Sequence, residues 1–249
     1  MVTTHANGDH CWGNQLVDYA TIVGSAATAS GMGDEIRPDA LVEMIAAAPP
    51  GSALGDYLRQ FFGHFDFAGI HLTPPSETFI GETTVWAGHR RIDLLEVGPA
   101  HTAGDVIAYV PDQRVLYAGD ILFVGDHPVM WTGPVDGWVR ACERILELDP
   151  VLVVPGHGPI TDQAGVLLVR DYLLRVGEHA DHCFAAGTPY WEAADGLQLP
   201  DEYASWGHPE RLVMTIAAIY RRLGFDGPTD LPTVLTHTAA AYRRLTIGA

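Results

Sequence analysis

The residues best suited to do chemistry stand near the start of the chain, where the segment HANGDH runs from His5 to His10. Its side chains at positions 5, 7, 9 and 10 each carry a nitrogen or oxygen that can bind a metal ion. Imidazole and carboxylate ligands together suit borderline divalent ions such as zinc, with iron and manganese as alternatives. A short segment so rich in ligand atoms predicts one part of a metal site.

Three later segments each supply one further ligand directly after an apolar run. They are VGPAHTAGD with His101, VLYAGDILF with Asp120 and VLVVPGHGP with His157. A single histidine or aspartate after a strand is commonly a hydrogen-bonded structural residue, so none of the three is informative by itself. The joint order HxNxDH, His, Asp and His favours metal binding. The other histidines lack such surroundings and are interpreted as structural or exposed; they are His64, His71, His89, His179, His182, His208 and His237.

The elements that must position these ligands can be predicted from the hydrophobic pattern. Residues 106–110 and 115–118 read as a hairpin, and residues 151–154 form a continuous apolar run typical of a buried strand. An amphipathic helix at 136–148 separates them, which indicates a layered α/β architecture. Ligands that follow such strands should meet at one edge of a sheet. Further strands are predicted at 83–86 and 92–97, and further helices at 38–48, 56–65, 162–184, 189–197, 209–223 and 232–245.

The composition excludes several classes of partner. The chain has 249 residues and a formal net charge of -17, so its surface repels the phosphates of nucleic acids and of anionic membranes. No apolar run has the length of a membrane span. The widely spaced cysteines Cys11, Cys142 and Cys183 do not form a disulfide framework, which predicts a reducing, cytoplasmic location. The expected partner is a small-molecule substrate, and the oligomeric state is left open.

These motifs resemble the metallo-β-lactamase superfamily of metal-dependent hydrolases, whose signature is HxHxDH followed by a histidine, an aspartate and a final histidine. The similarity runs from Thr4 to about Asp162, and includes GPAHTAGDVIAYVPDQRVLYAGDILF and VVPGHGPITD. Residues 206–212, WGHPERL, resemble a C-terminal helical region of uncharacterised members. The resemblance implies an αββα sandwich over residues 1–162, with a helical insert at about 31–70. Residues 163–249 would then form a helical extension packed on it.

The same resemblance implies two metal sites that share one aspartate. The first would use His5, Asn7 and His101, and the second would use Asp9, His10 and His157, with Asp120 bridging both ions. A water or hydroxide held by the ions would be the nucleophile, and Asp9 and Asp120 are the predicted catalytic residues. His127 and Trp131, in the loop after Asp120, are candidates for contact with the substrate.

Two departures from the family pattern carry expectations of their own. Asn7 stands where the signature has histidine, and an amide oxygen is a weaker ligand than imidazole, so the second site should fill before the first. Members also place a block of strands before the first motif, whereas this chain has four residues there. We expect an N-terminally shortened sandwich, because the recorded start is internal to a longer reading frame or because the first sheet has fewer strands.

Three functions are compatible with this pattern. The first is a metal-dependent hydrolase that cleaves an ester, thioester, lactone or lactam bond of a small acyl compound, with one or two zinc ions. The second is a di-iron redox protein of the same fold, although the sequence contains no recognisable flavin-binding or rubredoxin-like segment. The third is a catalytically impaired remnant, for which Asn7 and the short N-terminus are the reasons. The acidic surface argues against the nucleases of the superfamily.

Overall fold

A mixed five-stranded sheet forms the centre of the molecule in the computed structural model, which describes residues 1–34 and 36–247. The strands are β3 (Glu82–Ala87), β4 (Arg90–Glu96), β5 (Val106–Val110), β6 (Val115–Phe123) and β7 (Leu152–His157). Their order in the sheet is β3-β4-β5-β6-β7, antiparallel from β3 to β6, with β7 parallel to β6. The parallel pair requires a crossover, which the helix at Val135–Glu147 supplies.

A small second sheet holds the N-terminal segment that leads into the HANGDH motif. Its strands β1 (Val23–Ser25) and β2 (Glu77–Phe79) are parallel. The chain ahead of the motif runs beside β1, where Thr3 N donates to Val23 O at 2.9 Å. Val106 N donates to Thr4 O at 2.8 Å, so the same segment is also tied to β5 of the large sheet. These bonds fix the backbone that leads directly into His5.

Helices cover the large sheet and continue to the end of the described chain. Their bounds are α1 (Gly8–Cys11), α2 (Ala26–Gly31), α3 (Pro38–Ala47), α4 (Ala53–Phe62), α5 (Val135–Glu147), α6 (Gln163–Ala185), α7 (Tyr190–Gly196), α8 (Leu212–Arg222) and α9 (Leu231–Ile247). The Asp162 side chain caps α6 by accepting a hydrogen bond from Ala164 N, which explains where that helix begins. None of the helices in the described ranges is both long and apolar enough to cross a lipid bilayer.

The helices after β7 share one hydrophobic core with the sheet. Ile107 of β5, Trp138 of α5, Tyr172 of α6 and Ile216 of α8 belong to the same buried cluster. Residues that pack together in this way exclude water jointly and stabilise one another. The division of the chain into two domains, 1–162 and 163–249, stays a prediction. The C-terminal helices pack in the same core as the sheet and thereby stabilise it.

Trp138 is the largest side chain in this core that is fully buried, and it also donates a hydrogen bond from Nε1 to Ile121 O at 2.9 Å. Replacing Trp138 by Phe is expected to lower the free energy of unfolding by about 1 to 3 kcal/mol, because volume and a buried hydrogen bond are both lost. Urea denaturation checks this value. Trp86→Phe is the matched control, since Trp86 is 65% exposed and should change stability little.

The structure departs from the predicted elements at three places. Strand β6 does not end at residue 118 but continues through Asp120 to Phe123. Register shifts against β7 at Gly119 let the chain bend there without leaving the sheet, which a hydrophobic pattern does not reveal. Helix α2 and strand β2 are additions that the pattern did not predict. Residues 209–211 form a separate 3-10 turn ahead of α8.

Candidate metal centre

The HANGDH segment presents its side chains through a tight turn and one short helix. Asn7 precedes α1, and Asp9 and His10 lie in that helix, so the motif is helical rather than an open loop. Gly8 packs on the indole of Trp12, where a Cβ atom would lie 2.5 Å from Cε2, so a larger residue would push the helix away. His5 stands ahead of the turn, fully buried, with Thr4 Oγ1 3.1 Å from its Nδ1.

Asp120 is the centre of the site, because four imidazoles surround its buried carboxylate. Its Oδ2 lies 3.6 Å from Nε2 of His5, 3.4 Å from that of His101 and 3.4 Å from that of His157. Its Oδ1 lies 3.1 Å from Nε2 of His10. The structure therefore brings together ligand candidates from the N-terminus, from the loop after β4, from β6 and from the end of β7.

Asp9 stands at the solvent side of the same cluster. Its Oδ2 lies 3.4 Å from Nε2 of His10 and 3.3 Å from Nε2 of His157, and its side chain is 59% exposed. The ligand atoms form two overlapping groups, each with all members within 4.8 Å of one another: His5, His10 and Asp120, and Asp9, His10 and His157. Separations of this size leave room for a cation among the ligand atoms.

The buried side of the cluster fits a cation for a second reason. Nε2 of His5 and Oδ1 of Asp120 are buried and have no hydrogen bond of acceptable geometry among the described residues. Buried polar atoms without partners are rare in folded proteins, because each one loses its hydration without compensation. Both atoms are good ligands for a divalent ion, so a bound ion would satisfy both.

Asn7 and His101 contact each other directly. Nδ1 of His101 lies 2.6 Å from Val129 O and therefore carries the ring proton that is donated there. The structure places Oδ1 of Asn7 2.6 Å from Nε2 of His101, which then presents a lone pair. Because an amide oxygen and an unprotonated ring nitrogen would repel each other, we assign the nitrogen of the Asn7 amide to that position, where its N–H donates to Nε2. With this assignment Asn7 occupies the lone pair that His101 would offer to an ion.

The imidazoles divide into two electrostatic types. Burial lowers the pKa of His5 to about 3, although the charge of Asp120 acts in the opposite direction. Burial likewise lowers the pKa of His101. These two rings are therefore neutral near pH 7, which is the form that can bind a metal ion.

His10 and His157 behave differently because they face both carboxylates. Burial lowers the pKa of His10, but the carboxylates of Asp120 and Asp9, 3.1 and 3.4 Å from its Nε2, outweigh burial and raise the pKa to about 10. The same two carboxylates, 3.4 and 3.3 Å from Nε2 of His157, raise the pKa of His157 to about 9. Burial alone would raise the pKa of either carboxyl group, yet the same imidazoles hold the pKa of Asp9 and of Asp120 below the ordinary range. An entering cation would displace these ring protons.

Asp105 is a supporting residue that the sequence analysis missed. It is buried and accepts hydrogen bonds from Thr102 N at 2.9 Å and from Thr102 Oγ1 at 2.7 Å, which fixes the turn that carries His101. Burial raises the pKa of Asp105 to about 7, and the bonds from Thr102 limit that rise. The signal was present in HTAGD, where the carboxylate can cap the turn that follows the histidine.

The two candidates for substrate contact occupy different surroundings. His127 is buried, with Nδ1 2.8 Å from Tyr172 Oη, while Trp131 is half-buried and its backbone N donates to His101 O at 3.0 Å. Trp131 thus supports the loop that carries His101, and its ring packs against the main core. Their contact with a substrate stays a prediction. Phe123, not predicted, stacks on His157 with ring centroids 4.8 Å apart.

Comparison with known proteins identifies the family to which this chain belongs. The sequence model of the metallo-beta-lactamase superfamily matches residues 1–157. The chain therefore belongs to the metallo-β-lactamase superfamily, and its fold is the one that the sequence motifs implied. The match covers the whole ligand set from His5 to His157. Divalent metal binding is general in this superfamily, which agrees with the His and Asp groups described above.

Two curated relatives match parts of the chain. The 2,4-dinitroanisole O-demethylase subunit alpha of Nocardioides sp. (strain JS1661) is 30% identical over 111 residues, which cover 39% of this chain and 33% of the relative. The acyl-coenzyme A thioesterase MBLAC2 of Bos taurus is 26% identical over 165 residues, which cover 63% of this chain and 54% of the relative. This chain thus spans a third to a half of these relatives. Together with the family, they support an enzyme of the hydrolase class.

A solved structure extends the likeness to the C-terminal helices. The stereoselective inverting sec-alkylsulfatase Pisa1 from Pseudomonas sp. superposes with a TM-score of 0.64 over 93% of this chain and 42% of its own, at 14% sequence identity. At that identity the likeness shows the fold alone. It includes helices after β7, which agrees with their shared core with the sheet.

Proposed function

We propose that this protein is a metal-dependent hydrolase that cleaves an ester, thioester, lactone or lactam bond of a small acyl substrate, using one or two zinc ions. The observation that carries the proposal is the buried carboxylate of Asp120 with four imidazoles around it, where His5 Nε2 and Asp120 Oδ1 are buried without a hydrogen bond of acceptable geometry. Among the acyl bonds a thioester is favoured, because a curated relative is an acyl-coenzyme A thioesterase.

The residues divide into two ligand sets joined by Asp120. Asp9, His10 and His157 would hold one ion, and His5, His101 and the Asn7 amide would hold the other, more weakly. A bound divalent ion supplies a Lewis acid that polarises a carbonyl oxygen and lowers the pKa of water. Iron and manganese remain alternatives to zinc for this ligand set.

The two carboxylates have different surroundings and therefore different roles. Asp9 is more than half exposed, so it can accept a hydrogen bond from a water molecule at the mouth of the site and take its proton. Asp120 is buried beneath the imidazoles and keeps them oriented toward one point. Phe123 stacks on His157 and restricts rotation of that ring.

The substrate class is tested with a panel of acyl thioesters, aryl esters, lactones and nitrocefin, assayed with zinc, iron or manganese added to metal-free protein. We expect hydrolysis of at least one acyl substrate that depends on added metal and disappears with a chelator. Absence of metal-dependent hydrolysis across the panel, in protein shown by mass spectrometry to hold metal, would contradict the proposal.

Asn7→His is expected to increase metal binding, because imidazole is a stronger ligand than an amide and would no longer occupy the lone pair of His101. At trace zinc, native mass spectrometry should find about one ion per chain in the unmodified protein and about two in the variant. Asn7→Ala is the control that removes the amide without adding a ligand, and it should not gain an ion. Two tightly held ions in the unmodified protein at trace zinc would refute the expected order of filling.

A further inference from the structure

A group of aromatic side chains begins at the HANGDH motif and extends away from it. Gly8, which separates the ligand candidates Asn7 and Asp9, packs directly on the indole of Trp12. A Cβ atom at Gly8 would lie 2.5, 2.6 and 2.7 Å from three carbon atoms of that indole. The Trp12 ring is therefore a direct neighbour of the ligand motif.

Two phenylalanines from a different part of the chain continue this group. Both follow helix α4, and the ring of Phe67 meets that of Trp12 edge to face, with ring centroids 5.6 Å apart. The ring of Phe65 lies 6.1 Å from that of Phe67, at an interplanar angle of 45°. Aromatic rings attract one another at these separations. Trp12, Phe67 and Phe65 thus form one continuous aromatic surface.

Hydrogen bonds hold the segment with the two phenylalanines against the chain that follows the ligand motif. The 3-10 helix Trp12–Val17 comes directly after α1, and Oε1 of Gln15 in this helix accepts from His71 N at 2.6 Å. Nδ2 of buried Asn14, in the same helix, donates to Thr73 O at 3.0 Å. These bonds fix the position of the aromatic surface relative to the ligand motif.

The aromatic surface faces solvent instead of being enclosed in a core. Phe65 is 62% exposed, and Trp12 and Phe67 are half-buried. Among the described residues, neither phenylalanine belongs to the core that the large sheet shares with the helices. Trp12 packs on a separate small cluster that includes Cys11 and Met32. Contiguous exposed apolar side chains, unlike single scattered ones, mark a binding surface.

The metal centre is open to solvent on the side where the aromatic surface begins. Asp9 is more than half exposed and His157 is half-buried, whereas Asp120 is buried. A substrate therefore reaches the ligand cluster from the side of Asp9. Adjacent Cα atoms lie about 3.8 Å apart, so Gly8 and the Trp12 ring packed on it stand beside this entrance.

The charges around the aromatic surface are negative. Residues 1–36 and 60–89 contain all three rings and have no lysine or arginine. Asp9, Asp18 and Asp66 in these segments are exposed. They would repel an anionic group on the rings, and the two segments offer no lysine or arginine to pair with it. The aromatic surface therefore fits an uncharged group.

We propose that Trp12, Phe67 and Phe65 form the binding site for the acyl group of the substrate, and that this group is large, apolar and uncharged. This inference rests on the proposed hydrolase and narrows its substrates, because it disfavours small and anionic acyl groups. The bond to be cleaved would lie at the metal centre, and the acyl group would extend past Gly8 along the rings. Removal of apolar surface from water would supply the binding energy.

Hydrolysis of four thioesters that share the neutral leaving group N-acetylcysteamine tests the site. The zinc-loaded protein should prefer the phenylpropionyl thioester to the acetyl thioester by about tenfold or more in kcat/KM, because only the longer group reaches the rings. The succinyl thioester carries a carboxylate and should be no better than the acetyl one. The cyclohexylpropionyl thioester has nearly the same size as the phenylpropionyl one, so it distinguishes a general apolar contact from ring-to-ring contact.

Phe65→Ala removes the most exposed ring of the aromatic surface. The ratio of kcat/KM for the phenylpropionyl thioester to that for the acetyl thioester should fall about fivefold, since one aromatic contact is lost. A merely structural effect would lower both values alike and keep the ratio. Trp86→Ala is the matched control, because Trp86 is similarly exposed, at 65%, and lies on strand β3 outside the aromatic surface. It should keep the ratio of the unmodified protein.

Benzylacetone, a neutral ketone that the protein cannot hydrolyse, gives a measurement without turnover. Its dissociation constant, from NMR titration of the metal-free and the zinc-loaded protein, should be about fivefold higher for Phe65→Ala than for the unmodified protein. Trp86→Ala should bind it like the unmodified protein. Equal affinity of Phe65→Ala and the unmodified protein, an unchanged ratio of kcat/KM, or a succinyl thioester cleaved as fast as the phenylpropionyl one would each overturn the inference.

Sedimentation of the unmodified protein and of Phe65→Ala completes the experiment. A dimer of the unmodified protein that dissociates in the variant would assign the rings to an interface between copies and would also overturn the inference. Benzylacetone binding that depends on Phe65, without hydrolysis of any thioester, would reject the proposed function alone. Metal-dependent hydrolysis with a preference that does not depend on Phe65 would reject the acyl site alone.

Discussion

Asp120→Asn is expected to abolish tight metal binding and, with it, hydrolytic activity. The carboxylate of Asp120 is 4% exposed and lies within 3.6 Å of Nε2 of His5, with the other three imidazoles closer still. Asparagine has nearly the same volume but no charge, so the variant removes the negative charge that a cation requires while keeping the packing. We expect metal affinity to fall more than about 100-fold. This exceeds the loss that follows mutation of residues that only hydrogen-bond to a metal ligand.

Mass spectrometry of metal content and hydrolysis of the best panel substrate measure the two effects separately. Asp126→Asn is the matched control, because Asp126 lies in the neighbouring loop and outside both ligand groups. It should keep its metal. If Asp120→Asn retained a full complement of zinc, the bridging role assigned to Asp120 would be wrong.

Gly156→Ala is expected to disable the site although it changes no ligand. A Cβ atom at position 156 would lie 1.9 Å from Asp120 Oδ1 and 2.8 Å from the carbonyl oxygen of Gly119. The second contact is with backbone, so the strain cannot be relieved by rotating one side chain, and β6 and β7 must separate. We expect a loss of about 1 to 3 kcal/mol in stability, together with a large fall in metal affinity as Asp120 is displaced.

Gly196→Ala is the matched control for this variant. A Cβ atom at Gly196 would meet nothing within 4 Å, and the position is the last residue of helix α7. It should be neutral or slightly stabilising, because alanine restricts the unfolded chain more than glycine does. Gly156→Ala with unchanged stability and metal content would mean that the two strands move apart more easily than their packing suggests.

The family, and the convergence of the candidate ligands in one place, could be predicted from the sequence because both depend on short local motifs. HANGDH, HTAGD, AGD and PGHG each carry a ligand beside the glycine or small residue that lets the backbone bend. The ends of hydrophobic runs placed them at one sheet edge, and the structure brings them together there. The path of β6 through Asp120 could not be predicted, since it depends on a register shift against β7.

The segment at 206–212 shows what sequence reasoning misses. It was singled out only by its resemblance to a region of other members, His208 was interpreted as structural or exposed, and no role was assigned to Arg211. In the structure the backbone of His208 is left-handed and its ring lies beside buried Glu210, while the buried Nη1 of Arg211 has no hydrogen-bond partner in the described chain. Backbone conformation and missing partners are visible only in three dimensions, whereas ligand motifs can be read along the chain.

Helix α9 packs on the early helix α4, and this affects how the protein folds. Tyr242 packs against Tyr57 and Phe61 with ring centroids 5.4 and 5.3 Å apart, and Arg243 Nη2 donates to Gly51 O at 2.8 Å. The two residues of that hydrogen bond are 192 positions apart along the chain. Contacts between such distant segments form slowly, because the entropy of closing a long loop has to be overcome first. Until α9 packs on it, the aromatic face of α4 is exposed, and chaperones would have their main opportunity to bind it.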